Sequence, residues 1–396
     1  MVSKDMKTAI LTLNGNSNYG NRLQNYSLQF YLKKLGVESA TIILNAPQSM
    51  WFGFDDYNVS DYKINFKNIV KWAINWRDFR DNYGTYIPEN IVRQYKIKLF
   101  TDKYINSIRV NSYQEIVNDF DFFLTGSDQV WSPVSKLLWD KFDLNLFRAS
   151  KKDLTKQYLK DYFLTFAPKE KRISYAASIG TSSLPQKSKK FFKECFEGMN
   201  YISLREESGV SIVKELTDKK AEVHVDPTLL LTKDEWSSIE HKPSYLNDND
   251  NYLLSYFLGE LPESVKRVAK ENNLKVINLM DKNNFDVYTS RVEEFLYLIH
   301  HAKLVVTDSF HACVFSIIFN TPFIAVKRQQ ARTLNMLARL ETLTSYFGFE
   351  DRICDFSNIH LTKDEIFNMD FSNVESILDK QRLRTNVYFA KIFGGK

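Results

Sequence analysis

Short apolar runs alternate with longer amphipathic segments along most of the chain, and this alternation predicts strands and helices in turn. Runs of strand length occur at 7–13, 40–44, 121–125, 172–177, 201–204, 252–257, 275–279, 304–306 and 323–326. Apolar positions at helical spacing follow many of these runs, as in 22–35, 186–199, 263–272 and 291–301. Because strands that alternate with helices form parallel sheets, the pattern predicts a doubly wound α/β fold.

The length of 396 residues exceeds what one hydrophobic core usually organises, so two domains are expected. The segment 226–228 (Asp-Pro-Thr) interrupts the pattern and is typical of a domain junction. We therefore expect a first domain over 1–220, a second over 221–372, and a C-terminal helix over 373–396 that packs back across both.

Aromatic and basic residues are concentrated between residues 46 and 115, inside the first expected domain. Within this stretch, 69–83 can be drawn as a basic amphipathic helix, which suits contact with the inner face of a membrane or with a lipid-linked acceptor. A helical insertion packed on the first domain explains the same pattern.

The bulk composition narrows the classes of function. A formal net charge of +5 is small for this length and no basic block occurs, so a nucleic-acid partner is not expected. The three cysteines (195, 313 and 354) form no CxxC pair, which argues against a zinc site or a disulfide framework. No apolar stretch reaches the ~18 residues of a membrane span, so we expect a cytoplasmic protein.

The strongest candidate site is the stretch 304–319, where a buried strand, a polar turn and an apolar helix follow one another. The free N–H groups of the helix's first turn would lie at the carboxyl end of the sheet, where α/β proteins bind anions. His311 stands in that turn within an otherwise apolar segment, and we predict it to be catalytic. Asp308 would either orient the imidazole or cap the helix.

Two loops of the first domain also follow predicted strands. The loop Asn18-Tyr19-Gly20-Asn21 precedes a helix and suits a phosphate or a sugar, although its glycines do not match GxGxxG. An ordinary surface loop explains it equally well.

The second of these loops offers Ser127, Asp128 and Trp131, which supply a hydroxyl, a carboxylate and a flat ring for a sugar. A capped turn with a core tryptophan is an equal alternative. Arg205, after a later strand, suits a carboxylate or phosphate clamp. A salt bridge to Glu206 or Glu207 is the commoner role for such an arginine.

Six stretches, taken in order, resemble the polysaccharide pyruvyl transferase family. They are 18–21, 126–131, 173–178, 203–209, 225–230 and 307–311. The resemblance covers most of the chain and implies two Rossmann-like domains that face each other across a cleft, as in GT-B glycosyltransferases.

The reaction that the resemblance implies moves the pyruvyl group of phosphoenolpyruvate onto two hydroxyls of a sugar in a cell-surface polysaccharide or its precursor. The products are a cyclic ketal and phosphate. Phosphoenolpyruvate is then a co-substrate and the partner is a sugar acceptor that can be lipid-linked, while no cofactor or metal is expected. His311 would transfer protons, since its unperturbed pKa of ~6.5 suits both acid and base work. Arg205 matches a family arginine expected to hold the donor, and the two first-domain loops would bind the acceptor.

The chain departs from the family pattern just before the histidine. Ser309 and Phe310 stand where other branches place an arginine and a leucine. If that arginine holds the donor, then Lys327, Arg328 or Arg332 must replace it here, or the donor differs. A solvated basic helix start explains these three residues as well.

Two other functions fit the same fold. A glycosyltransferase would use a nucleotide sugar in the same cleft, and a glycan-binding protein would keep the fold without turnover. The oligomeric state and the acceptor sugar do not follow from the sequence.

Overall fold

The computed structural model describes residues 6–45, 88–133, 156–327, 334–357, 359 and 361–394. The predicted amphipathic helix at 69–83 lies outside these residues. The helices are α1 (Tyr19–Lys34), α2 (Pro88–Tyr104), α3 (Gln186–Glu197), α4 (Glu207–Leu216), α5 (Lys233–Ser237), α6 (Glu263–Glu271), α7 (Phe285–Tyr288), α8 (Val292–His300), α9 (Phe310–Phe319), α10 (Leu334–Phe347), α11 (Lys363–Phe367) and α12 (Val374–Phe393).

A parallel five-stranded sheet in the order β3-β2-β1-β4-β5 forms the centre of the first half. Its strands are β1 (Lys7–Leu11), β2 (Glu38–Leu44), β3 (Ser107–Val110), β4 (Phe122–Thr125) and β5 (Arg172–Ser174). Isolated backbone bridges extend it to β6 (Ile202–Leu204), which pairs in parallel with β7 (Ala221–Val223). The central strand β4 is buried along its whole length, as expected where helices cover both faces of a sheet.

A second parallel sheet in the order β12-β11-β10-β8-β9 forms the centre of the second half. Its strands are β8 (Tyr252–Tyr256), β9 (Lys275–Asn278), β10 (Leu304–Thr307), β11 (Phe323–Val326) and β12 (Ile353–Cys354). The chain order reverses between β8 and β10, which pair directly with Leu304 opposite Leu253. The first sheet reverses in the same way between β1 and β4. Ligands of open α/β sheets bind at the carboxyl ends of strands at such switch points.

The two halves are joined through buried contacts at the amino end of α1. The Tyr19 hydroxyl donates to the carbonyl oxygen of Ser290 at 2.7 Å, and its ring stacks on that of Phe295 at 4.6 Å between centroids. The Arg93 guanidinium on α2 donates to the carbonyl oxygens of Leu279 and Tyr288. These contacts fix how the first switch point faces the second.

The last helix, α12, returns to the first sheet. The Tyr388 hydroxyl donates to the carbonyl oxygen of Ser174 at 2.7 Å, and the hydroxyls of Thr385 and Tyr175 lie 3.0 Å apart. Arg384 donates to the carbonyl oxygen of Val223. The chain therefore ends on the domain in which it began.

The two sheets confirm the predicted α/β fold of two Rossmann-like domains in a GT-B-like arrangement. Three of the described strands were not predicted. β3 lies inside the stretch 46–115 that we expected to be a helical insertion, β7 precedes the segment 226–228 that we interpreted as a domain junction, and β12 follows α10. Within the described part of the chain, no helix is long and apolar enough to cross a bilayer.

Candidate active site

Side chains from both switch points and from the segment between the sheets meet in one buried cluster. Its members are Asp128, Arg205, Asp226, Phe310, His311 and Arg339. The first sheet supplies two of them, the β7–β8 connection supplies Asp226, and the second half supplies the other three.

His311 lies in the first turn of α9, directly beyond the carboxyl end of β10, and is 5% exposed. Its Nε2 atom is 3.7 Å from Oδ2 of Asp226 and has no hydrogen-bond partner within the described residues. On the other side the ring packs against α1, because a Cβ atom added to Gly20 would lie 2.0 Å from Nδ1. Only a glycine at position 20 allows this approach.

Asp226 caps the short 3₁₀ turn Pro227–Leu230 and is buried. Its Oδ1 atom accepts from the backbone N–H and the hydroxyl of Thr228, at 3.1 and 2.7 Å. Its Oδ2 atom is shared by Arg205 Nη1 at 2.6 Å and the Ser127 hydroxyl at 3.0 Å. The carboxylate is therefore held rigidly beside the imidazole.

Arg205 follows β6 and is 3% exposed. Besides its contact with Asp226, its Nη2 atom donates to Oδ1 of Asp128 at 3.3 Å. Its Nε atom is buried without a partner in the described structure. The predicted salt bridge exists, but Asp128 and Asp226 supply it. Oε1 of Glu206 instead accepts from the backbone N–H groups of Ile179 and Gly180.

The Phe310 ring contacts two arginines. The Cζ atom of Arg205 is 4.6 Å from its centroid and that of Arg339 is 5.6 Å away, so both guanidiniums contact the ring. Arg339, from α10, also brings Nη1 to 3.8 Å from Oδ1 of Asp128. A second buried arginine, which was not among the residues predicted to act, thus reaches the site from α10.

Ser127 and Asp128 lie in the loop after β4, where Asp128 adopts φ 70°. The Ser127 N–H donates to Gln24 Oε1 at 3.0 Å, and its hydroxyl lies 2.9 Å from the carbonyl oxygen of Ala176. Ser127 and Asp128 both lie in the cluster, where they form hydrogen bonds with Asp226 and Arg205.

Asp308 and Ser309 precede α9 and are buried. The two oxygens of Asp308 accept from the backbone N–H groups of Leu258 and Gly259, at 2.8 and 3.0 Å, and so fix the loop after β8. Ser309 is the N-cap residue but makes no side-chain cap hydrogen bond. The carboxylate beside the imidazole is that of Asp226, so Asp226 takes the place that one of the two alternatives gave to Asp308.

The stretch 18–21, which we predicted to be a loop before a helix, forms the N-cap and the first turn of α1 and meets the site through Gly20. The Asn18 side chain caps α1 by accepting from the Gly20 N–H at 2.8 Å, and the Asn21 carbonyl oxygen accepts from the Gln24 side chain. Tyr19 is fully buried between the two domains. The prediction that its side chain contacts an acceptor is therefore wrong, since its hydroxyl and ring face are occupied by protein.

Trp131 was predicted to stack on a sugar, and the structure contradicts this. The side chain is completely buried, its ring stacks on Phe163 at 4.7 Å, and its Nε1 atom donates to the carbonyl oxygen of Tyr162. The alternative of a core tryptophan is correct.

Of the three basic residues proposed as substitute clamps, the structure describes only Lys327, which lies outside the cluster. Lys327 is half-exposed and pairs with Asp355 at 3.0 Å. Arg328 and Arg332 lie outside the described residues.

Burial and charge oppose each other in this cluster. Burial lowers the pKa of His311, and the carboxylates of Asp226 and Asp128 offset part of this effect. Burial alone would raise the pKa of Asp226, but His311, Arg205 and the hydrogen bonds from Thr228 hold it below its ordinary value. Arg205 likewise helps to hold the pKa of Asp128 below its ordinary value. At neutral pH the imidazole is thus neutral beside ionised carboxylates.

Sequence reasoning missed Asp226 and Arg339 as members of the site. Asp226 was visible in one of the six stretches, but its Asp-Pro-Thr pattern favoured a structural junction. Arg339 carried no signal, because a lone arginine on an amphipathic helix usually faces solvent.

A family model described as "Polysaccharide pyruvyl transferase" matches residues 18–330 of the chain. No curated protein sequence matches it.

Among solved structures, the chain is similar to the UDP-GlcNAc 2-epimerase from Methanocaldococcus jannaschii, with 12% identity and a TM-score of 0.45 over 96% of this chain and 100% of that chain. The UDP-GlcNAc 2-epimerase from Neisseria meningitidis bound to UDP-GlcNAc is 11% identical, with a TM-score of 0.41 over 96% of this chain and 100% of that chain. An alpha-glucosyltransferase in complex with UDP and a 13-mer DNA is 10% identical, with a TM-score of 0.40 over 98% of this chain and 92% of that chain. Likeness at this level carries no information on activity.

Proposed function

Because the chain belongs to the polysaccharide pyruvyl transferase family, we propose that it transfers the pyruvyl group of phosphoenolpyruvate to two hydroxyls of one sugar in a cell-surface polysaccharide or its precursor. One observation supports this most. Arg205 Nε and His311 Nε2 are both buried without a partner in the described structure, within one cluster that both domains build. Buried polar atoms are normally satisfied, so two orphans at one place indicate a ligand that completes them.

Donor recognition follows from the cations at this place. Arg205 supplies the Nε donor and Arg339 a second guanidinium across the Phe310 ring. The N–H groups at the start of α9 add a favourable field for an anion. In this proposal Arg339 takes the part of the arginine that other family members place before the histidine, and Phe310 spaces the two guanidiniums.

The proposed reaction involves no net oxidation or reduction. The first hydroxyl gives up its proton to a base, the methylene carbon then gains a proton, and the hydroxyl oxygen forms a C–O bond to the cation-like carbon that results. The C–O bond to phosphate then breaks, and the second hydroxyl adds to give the ketal. Of the two hydroxyl protons released, one balances the proton gained by the methyl group and the other leaves with phosphate or solvent.

His311 is proposed to carry these protons. Its lowered pKa leaves the imidazole neutral and able to accept a proton from an incoming hydroxyl. The imidazolium that forms is stabilised by Asp226, 3.7 Å away, and can then deliver its proton to the methylene carbon. Asp226 acts here as a positioning residue.

The acceptor is proposed to bind on the first-domain side of the cluster, beside Asn18, Asn21, Ser127 and Asp128. Ser127 and Asp128 already hold Asp226 and Arg205, so they would shape this side more than they would form hydrogen bonds with the sugar.

The test is to incubate the protein with phosphoenolpyruvate and a panel of nucleotide-linked and lipid-linked sugars, following phosphate release and the ketal methyl group by NMR. We expect release only with a suitable acceptor, together with a product that carries a methyl group and a carboxylate on two sugar oxygens. Consumption of a nucleotide sugar with glycosidic bond formation, and no ketal with any acceptor, would overturn the proposal in favour of a glycosyltransferase.

A further inference from the structure

We propose that Glu240, His300 and His301 form a binding site for a divalent transition metal, with Zn²⁺ as the best match. Nδ1 of His300 lies 2.9 Å from Oε2 of Glu240, and Nε2 of His301 lies 3.2 Å from Oε1. One ligand atom from each residue can be chosen so that all three lie within 4.8 Å of one another. Neither the sequence pattern nor the family assignment indicates a metal here.

The geometry suits a small tetrahedral ion. Zn²⁺ binds imidazole nitrogen and carboxylate oxygen at about 2.0–2.2 Å, which places neighbouring ligand atoms about 3.3–3.5 Å apart. The two imidazole nitrogens lie 2.9 and 3.2 Å from different oxygens of Glu240, which is shorter than this, so the imidazoles and the carboxylate must move apart when an ion binds. Two imidazoles and one carboxylate form the ligand set of known zinc sites that leave one position open.

Aromatic contacts orient both imidazoles in advance. The His300 ring stacks on Phe319 with centroids 4.4 Å apart, and the His301 ring stacks on Tyr297 at 4.0 Å. A ligand whose ring is already oriented loses little conformational freedom when a metal binds.

The electrostatic setting favours a cation. His300 is the last residue of α8 and His301 is its C-cap, and a helix C-terminus carries partial negative charge. The carboxylate of Glu240 also contacts both imidazoles.

This cluster is separate from the candidate active site. Its contact residue Phe319 ends α9, whereas His311 lies in the first turn of the same helix, about 12 Å away along the axis. A metal here would tie the segment after α5 to the end of α8. The His301 side chain is 43% exposed, so solvent reaches the cluster.

The ligand set discriminates against Mg²⁺ and Ca²⁺. Imidazole nitrogen favours zinc, nickel, cobalt and copper over Mg²⁺ and Ca²⁺, which prefer oxygen ligands. The structure therefore predicts no competition from Mg²⁺ at equal concentration.

The test uses the full chain freed of any polyhistidine tag. Calorimetric titration with Zn²⁺, and absorption spectra with Co²⁺ as a probe of tetrahedral geometry, are measured for the wild type and for His301→Ala and Glu240→Gln. The matched control is His241→Ala, because His241 is an exposed neighbour outside the cluster. A second control, His311→Asn, tests whether the ion instead binds at the active site. Circular dichroism of each variant checks its folding.

We expect one Zn²⁺ per chain in the wild type, binding weakened by about tenfold or more in His301→Ala and Glu240→Gln, and unchanged binding in both controls. Absence of stoichiometric binding to the wild type would overturn the proposal. Loss of binding in His311→Asn with full binding in the cluster variants would do the same.

Discussion

The Nε2 atom of His311 lies 3.7 Å from Oδ2 of Asp226, which joins the first turn of a second-domain helix to the segment between the two sheets. The same Asp226 oxygen accepts from Arg205 of the first domain. The environment of the imidazole therefore depends on the relative position of the two domains. A substitution that shifts either domain should alter the surroundings of His311.

The first prediction concerns the space beside the imidazole. Gly20→Ala would place a Cβ atom 2.0 Å from Nδ1 of His311, so the ring must move by more than 1 Å. We expect kcat/KM for ketal formation to fall by about 100-fold, since a displacement of this size is costly in catalysis. Gly209→Ala is the matched control, because Gly209 also lies in the first turn of a helix and its added Cβ atom meets only the flexible side chain of Leu204. Equal activity of the two variants would contradict the proposed role of His311.

The second prediction concerns the pH dependence of activity. Burial lowers the pKa of His311, so the acidic limb of the kcat/KM profile should have its midpoint below the ordinary value of ~6.5. Asp226→Asn removes a carboxylate that raises this pKa, and the midpoint should move to still lower pH. Asp355→Asn, at the exposed pair with Lys327, should leave the profile unchanged. An upward shift in Asp226→Asn would be inconsistent with the observed charge arrangement.

The third prediction concerns stability and Arg205. Arg205→Met leaves Asp128 and Asp226 buried without their main cation, which should lower the free energy of unfolding by about 3–5 kcal/mol. Lys189→Met breaks the exposed pair with Glu215 and should cost about 1 kcal/mol or less. Urea denaturation of both variants measures the difference, and similar losses would show that the buried network contributes little.

The fourth prediction concerns acid sensitivity and His224. Burial lowers the pKa of His224 to about 4, and its Nδ1 atom lies 2.9 Å from the Ser203 hydroxyl. Between pH ~6.5 and pH about 4, His224 is protonated in the unfolded chain but not in the folded chain. The free energy of unfolding therefore falls by about 1.4 kcal/mol for each unit by which the pH falls.

His224→Phe removes this proton while keeping a ring beside Tyr388. Between pH 7 and pH 5 the wild type should lose about 2 kcal/mol more than the variant. Urea titrations at the two pH values measure this, and parallel losses in both proteins would refute the assignment.

The alternation of strands and helices was sufficient to predict the two parallel sheets, because the central strands are buried on both faces and read as continuous apolar runs. β3 was not predicted, because it is an edge strand whose first three residues are exposed, and its sequence is therefore not a continuous apolar run.

The site was predicted less completely than the fold. His311 and Arg205 could be found because each follows a strand directly. The pairing of Asp226 with His311, and the approach of Arg339, join residues distant in sequence through the packing of two domains, which no local pattern encodes. Trp131 shows the converse: its residue type suited a sugar, but whether a ring faces the core or the solvent depends on the tertiary structure.

The most direct test of the central claim is the rate of phosphate release from phosphoenolpyruvate, with an acceptor that supports turnover, for the wild type, His311→Asn and His241→Asn. We predict that His311→Asn lowers kcat by about 10²-fold or more while its thermal unfolding midpoint stays close to that of the wild type. His241→Asn should match the wild type. Undiminished phosphate release by folded His311→Asn would contradict the assignment of this cluster as the active site.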